Sequence, residues 1–126
     1  MMNTKIKGLG NDIISVDRIK NAIDRQRETI IDRIFTKKEQ EYCSKFQDPY
    51  PRYAGRFAAK ESVVKALGTG FGDDILWHDV EISHDEKGKP IVILSDKLKK
   101  RFNSPNILVS LSHCKEYATA NAIWID

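Results

Sequence analysis

The spacing of apolar positions changes from strand-like to helical and back along the chain. From Lys5 to Ile14 a short apolar run is interrupted by Gly8 and Gly10, which predicts a strand whose backbone turns or passes close to another group. Val16, Ile19 and Ile23 then recur at helical steps behind Ser15, a residue suited to capping. Arg18, Lys20, Arg25 and Arg27 surround that stripe, so this helix has an apolar and a basic side. Thr36 followed three positions later by Glu39 forms a capping box for the next helix, whose buried side Tyr42 and Phe46 should mark. Asp48-Pro49-Tyr50-Pro51 should end it, because proline lacks a donor and restricts its predecessor.

A longer helix is predicted from Tyr53 to Leu67, rich in Ala, Lys and Glu, with Ala54, Phe57, Ala58 and Val64 near one stripe. Gly68 and Gly70 stop it. Beyond them the period becomes two at Val80 and Ile82, and a turn at Asp85-Glu86-Lys87-Gly88 leads to the run Pro90 to Leu94, which together predict a hairpin. Ser95 can cap a short basic helix through Phe102. Ile107, Val109 and Leu111 alternate as a strand, His113-Cys114-Lys115-Glu116 connects, and Ala118 to Ile125 returns as an antiparallel partner. The class is α+β, with residues 1–126 as one domain and no internal repeat or linker.

Composition narrows the functional classes. A net charge of +3 is too small for a dedicated nucleic-acid binder, while an anionic partner fits. Cys43 and Cys114 lack metal-type spacing and read as reduced thiols of a cytosolic protein, although their spacing alone leaves a disulfide open. Met1 to Gly10 lacks the apolar run of a signal peptide and no stretch is long enough to span a bilayer, so the expectation is a soluble, cytoplasmic chain.

Candidate chemistry begins at Glu61, which continues the stripe of Ala54, Phe57 and Ala58 and so risks burial. A buried carboxylate requires a cation. Lys65, one turn later, offers an ordinary i, i+4 pair; Asp12, if the first strand packs beside this helix, offers a second oxygen ligand for magnesium. The glycines from Gly68 to Gly72 permit close approach of phosphate, but at a helix C-terminus, where the dipole disfavours anions and cations such as Lys65 are needed. His113 ends a strand, where an imidazole can bind phosphate, move a proton or simply occupy a turn. Cys114 beside it points to the other strand face, which speaks against a Cys–His dyad. Arg18 and Arg25 share a helix face that an acidic protein could meet, diluted by Asp17 and Asp24.

Three segments resemble the holo-[acyl-carrier-protein] synthase family: Gly8-Leu9-Gly10-Asn11-Asp12-Ile13-Ile14, the block from Gly55 through Lys60-Glu61-Ser62 to Gly70, and Val109-Ser110-Leu111-Ser112-His113. Asp79-Val80-Glu81-Ile82 and Gly88-Lys89-Pro90 are similar too, so the resemblance covers nearly the whole chain. It implies a 4′-phosphopantetheinyl transferase fold, a homotrimer binding coenzyme A between subunits, and transfer of phosphopantetheine to a serine of apo acyl carrier protein in fatty acid biosynthesis. Asp12 and Glu61 resemble its magnesium ligands and Lys65 a residue near the pyrophosphate, while Arg56, His113, Gly68 and Gly70 fall among its coenzyme A contacts. The implied general base is Glu61, with His113 second. Two rival readings of the residues are a magnesium-dependent nucleotide hydrolase and a non-catalytic module whose basic helix grips an acidic partner.

Overall fold

The computed structural model describes residues 5–26 and 28–126, so Arg27 of the expected basic helix lies outside it. Strand β1 (Ile6–Ser15) leads into helices α1 (Val16–Gln26), α2 (Glu28–Ile34), α3 (Lys37–Ser44) and α4 (Tyr50–Ala66). A 3₁₀ turn (Trp77–Asp79), strands β2 (Val80–His84) and β3 (Pro90–Leu94), helix α5 (Asp96–Arg101) and strands β4 (Asn106–His113) and β5 (Tyr117–Ile125) complete the chain. The α+β class is as expected. One antiparallel sheet has the order β1-β5-β4, and β2 with β3 forms the separate hairpin.

Helix α4 lies across the larger sheet, and small residues set how closely. Ala118, Ala120 and Ala122 of β5 are completely buried beneath it. On β1, a Cβ at Gly8 would collide with the Ala66 carbonyl oxygen and one at Gly10 with that of Ser62. The glycines therefore serve close approach rather than a turn, and they bring β1 backbone against the last turns of α4. The sheet's other face is open and mixed: Ile6, Leu9, Ile13, Leu108 and Tyr117 are between 49% and 70% exposed, among the exposed polar residues Asn11, Ser110, Thr119 and Asn121. The pairings Leu9 with Ile123 and Leu108 with Ile123 place three of that face's residues in one cross-strand row.

Helix starts follow the capping chemistry. The Glu39 amide donates to Thr36 Oγ1 at 3.2 Å and the Thr36 amide to Glu39 Oε1 at 2.8 Å. Ser15 Oγ and Ser95 Oγ accept from the Arg18 and Leu98 amides, each at 3.3 Å. Gly68 takes a φ of +77° just beyond α4, as a closing glycine should.

Three expectations need correction. The buried side of α3 is Glu39 and Cys43, with Tyr42 and Phe46 only half-buried, because Glu39 has partners that make its burial tolerable. Helix α4 starts at Tyr50, and Pro51 belongs to its first turn, where no N–H is required. Helix α2 was not foreseen; seven residues carry too little periodicity to be distinguished from a loop. Among the described residues no helix is long and apolar enough to cross a membrane. Both cysteines are free, Cys43 buried and Cys114 exposed. Burial pushes the Cys43 thiol up to about 12, so it is inert at neutral pH.

The packing makes a paired prediction. Gly10→Ala should cost about 2–3 kcal/mol by overpacking, whereas Gly70→Ala, with open space around its Cβ, should stay within about 0.5 kcal/mol. Urea unfolding midpoints of the two variants check this; equal midpoints would contradict the close-approach role of Gly10.

Candidate active site

Because Gly8 and Gly10 seat β1 on α4, the next inward residue, Asp12, arrives beside Glu61 and Lys65. Lys65 Nζ donates to Asp12 Oδ1 and to the Asn11 carbonyl, both at 3.1 Å. The lysine thus pairs across to β1 and not, as helical spacing alone would have it, with Glu61 one turn back. Glu61 is half-buried, and its carboxyl is raised above the usual range by burial first and by the nearby Asp12 charge second, with Lys65 opposing. Two crowded carboxylates, one desolvated, form a hard-oxygen donor set for which a divalent cation such as magnesium is a suitable counterion.

Asp12, Glu61 and Arg18 line a cavity of about 350 Å³ whose interior is apolar, with Ile19, Ile34 and Phe35 on its walls. Glu61 also borders a second, more open cavity of about 670 Å³ beside Phe71, Leu76 and Trp77. There the Trp77 ring stacks on Phe71 with centroids 3.9 Å apart and on Phe57 at 5.2 Å.

A second cluster occupies another part of the molecule. Arg56 is 95% buried by the measure of its 5% exposure, its guanidinium lies 4.1 Å from the Tyr42 ring centroid, and its Nε has no hydrogen-bond partner. Arg52, one turn earlier, donates from Nη1 to His113 Nε2 at 3.0 Å, which requires that nitrogen to be unprotonated. Gly55 lets β4 pack closely on α4, since a Cβ there would lie 3.2 Å from Leu111 Cδ1, and the His113 ring is the next neighbour at 3.8 Å. Arg52, Arg56 and His113 line a pocket of about 120 Å³ with His84, Gly88 and Pro90, and among the described residues no carboxylate is on its wall. Burial first, then Arg52 and Arg56, lower the His113 pKa. A pocket walled by two guanidiniums and an imidazole, one guanidinium largely buried, suits an anion.

The expected site residues therefore separate into two groups. Asp12, Glu61, Lys65 and Arg18 converge, and Arg56 and His113 converge elsewhere, joined by Arg52, which the sequence reading missed. Its signal was the four-residue step to Arg56 on one helix face. Arg56 and Glu61 are five residues apart on α4, about 140° around the helix and ~7.5 Å along it. Asp12 and His113 lie on β1 and β4, the two edge strands, with β5 between them. Gly68 closes α4, Gly70 has open space around it, and Gly72 borders the second cavity. Arg25 is exposed and donates from Nε to the Asn21 carbonyl at 3.3 Å.

Comparison with known proteins places this arrangement. Residues 8–122 match the family model of the 4′-phosphopantetheinyl transferase superfamily. The chain belongs to that superfamily. Among its relatives, the holo-[acyl-carrier-protein] synthase of Protochlamydia amoebophila is 53% identical over 93% of this chain and 96% of its own. A crystal structure of the Bacillus anthracis holo-(acyl-carrier-protein) synthase in complex with CoA (3′,5′-ADP) superposes on this transferase with a TM-score of 0.82 at 35% identity, covering 96% of this chain and 97% of the other. The Helicobacter pylori enzyme in complex with coenzyme A gives 0.85 at 31% identity, covering 92% and 98%.

Burial of His113 beside Arg52 and Arg56 should make this transferase lose stability in acid. The folded His113 pKa lies below its ordinary 6.5, so His113 contributes stability above that pH that is lost as pH falls through the folded value. An NMR titration should find the His113 ring changing charge below 6.5, and His113→Gln should shallow the loss of stability on acidification.

Proposed function

We propose that the chain transfers the 4′-phosphopantetheine group of coenzyme A to a serine of apo acyl carrier protein, in a magnesium-dependent reaction that releases 3′,5′-ADP and supports fatty acid biosynthesis in the cytoplasm. The observation that carries this reading is the division of the site into a carboxylate–lysine half and an arginine–histidine half. Coenzyme A offers both a matching pyrophosphate and a separate 3′-phosphate, and the names of the relatives agree with it.

Arg52, Arg56 and His113 bind a phosphate of coenzyme A by charge-assisted hydrogen bonds. Since His113 belongs to this half, Glu61 is the general base. Its carboxylate, half-buried and lining both cavities, is placed to take the serine proton directly or through a water. The serine oxygen attacks the β-phosphorus as its proton passes to Glu61, and the bond from that phosphorus to the 3′,5′-ADP oxygen breaks. Lys65 stabilises charge on the departing pyrophosphate oxygen. Magnesium, held by Asp12 and Glu61, supplies further neutralisation of that charge when bound.

The two halves lie on different faces of α4, so one coenzyme A meets the carboxylates of one copy and the arginines of another. The exposed apolar residues of the open sheet face, among them Leu9 and Leu108 in a row with the half-buried Ile123, support the homotrimer that such sharing needs. Arg18, beside the carboxylates, and Arg25, two turns away on the same face, form the docking edge for an acidic carrier protein.

Incubation with apo acyl carrier protein, coenzyme A and magnesium, read by intact-protein mass spectrometry, should show a phosphopantetheine-sized gain that a chelator abolishes. Asp12→Ala or Glu61→Gln should lower the rate at least ~100-fold without unfolding the protein; free phosphopantetheine in the absence of an acceptor would support the hydrolase instead. Mixing unfolded Glu61→Gln and Arg56→Ala chains in equal amounts and refolding should restore about a quarter of wild-type activity, because one site in four then receives both intact halves. No recovery would place both halves in a single chain.

A further inference from the structure

The deepest charges of the molecule lie next to the site and have no part in the chemistry so far. Lys60 is wholly buried and Glu39 is 1% exposed. Lys60 Nζ donates to Glu39 Oε1 at 2.8 Å and to the Ile34 carbonyl at 2.6 Å. Glu39 also accepts from the Thr36 amide through Oε1 and from the Ile82 amide through Oε2, each at 2.8 Å. Two side chains therefore join the end of α2, the start of α3, the middle of α4 and strand β2.

Stability alone is a weak reason for this arrangement, since apolar residues of similar volume often replace a buried ion pair without loss. What the pair adds is direction. Ile34 ends α2, so its carbonyl has no partner within the helix, and the Lys60 ammonium holds it at one point. Helix α2 packs on α1 and on the 3₁₀ turn, and only weakly on α4. Its neighbourhood is tied to α4 by the Lys60 bond and by the Phe35 ring, 4.8 Å from that of Tyr53.

The position of α2 matters because it borders both cavities that meet at Glu61. Ile30 and Ile34 wall the apolar cavity beside Asp12 and Arg18, and Asp32 and Arg33 wall the larger one beside Trp77. Resting on the transferase reading above, we propose that Lys60 is a positioning residue for group transfer. Its buried ammonium fixes α2 against the helix that carries Glu61 and so sets the width of the space in which the acceptor serine and the arm meet. Lys60 acts through Ile34 and Glu39 and touches no substrate. The arginine pocket shares no wall residue with α2, but Tyr42 of α3 and His84 of β2 wall it, so KM for coenzyme A is the control that shows whether a change stays at α2.

The test compares wild-type protein, Lys60→Met and the double variant Glu39→Met/Lys60→Met, each with kcat normalised to the folded fraction by circular dichroism. Lys60→Met leaves Glu39 buried alone and should lower the thermal midpoint. The double variant removes both charges but also the partners of the Ile34 carbonyl and the Ile82 amide, so its midpoint should lie below wild type and above that of Lys60→Met. Its kcat per folded molecule should fall at least tenfold while KM for coenzyme A changes less than twofold. A well-folded double variant with wild-type kcat would overturn the proposal. So would a joint change in kcat and KM, or a double variant that does not fold, since either would make the pair a requirement of the fold alone. Absence of transfer by the wild-type protein in the same assay would overturn the transferase reading itself.

Discussion

The contact on which the rest depends is the near-touching of β1 and α4. Gly8 and Gly10 leave no side chain between the strand and the Ser62 and Ala66 carbonyl oxygens, and the buried alanines of β5 continue the same thin layer. Any Cβ at the glycines would lift the strand and carry Asp12 away with it. The same packing that completes the core therefore sets the spacing of the carboxylates, and fold and site cannot be varied separately here.

Once the strand is seated, α4 acts as a partition between two kinds of charge. Asp12 and Glu61 are crowded on one side, and Arg52 and Arg56 on the other. Each side is strained electrostatically when considered alone: Glu61 is driven towards its neutral form by burial and Asp12, and His113 towards its neutral form by burial and the two arginines. A cation on the first side and an anion on the second would each relieve that strain. Lys65 partly relieves the first by pairing with Asp12, a half-exposed ion pair worth about 1 kcal/mol or less.

The Lys60–Glu39 pair is the contrasting case, with opposite charges buried together and every oxygen of Glu39 engaged. It lies one residue from Glu61 on α4, so a side chain facing the core and one facing the site alternate at the point where the helix meets α2.

Much of this was legible in the amino-acid sequence, because local rules govern it. Period, caps and proline determined where most elements lie, and the glycines of β1 announced a close approach. Asp12, Glu61, Arg56 and His113 were singled out by residue type and by resemblance to a family. Tertiary structure alone decided the partners. Helical spacing offered Lys65 to Glu61, but Asp12, more than fifty positions away, receives it. Sequence marks Glu39 only as half of a capping box and Lys60 only as part of a family-like block, whereas the fold buries them against each other, and Arg52, whose one sequence signal was its step to Arg56, gained a role once β4 delivered His113 to it. Propensity and periodicity act over one or two turns, whereas the pairing of charges depends on which distant segment shares the same few ångströms, and only packing the chain settles that.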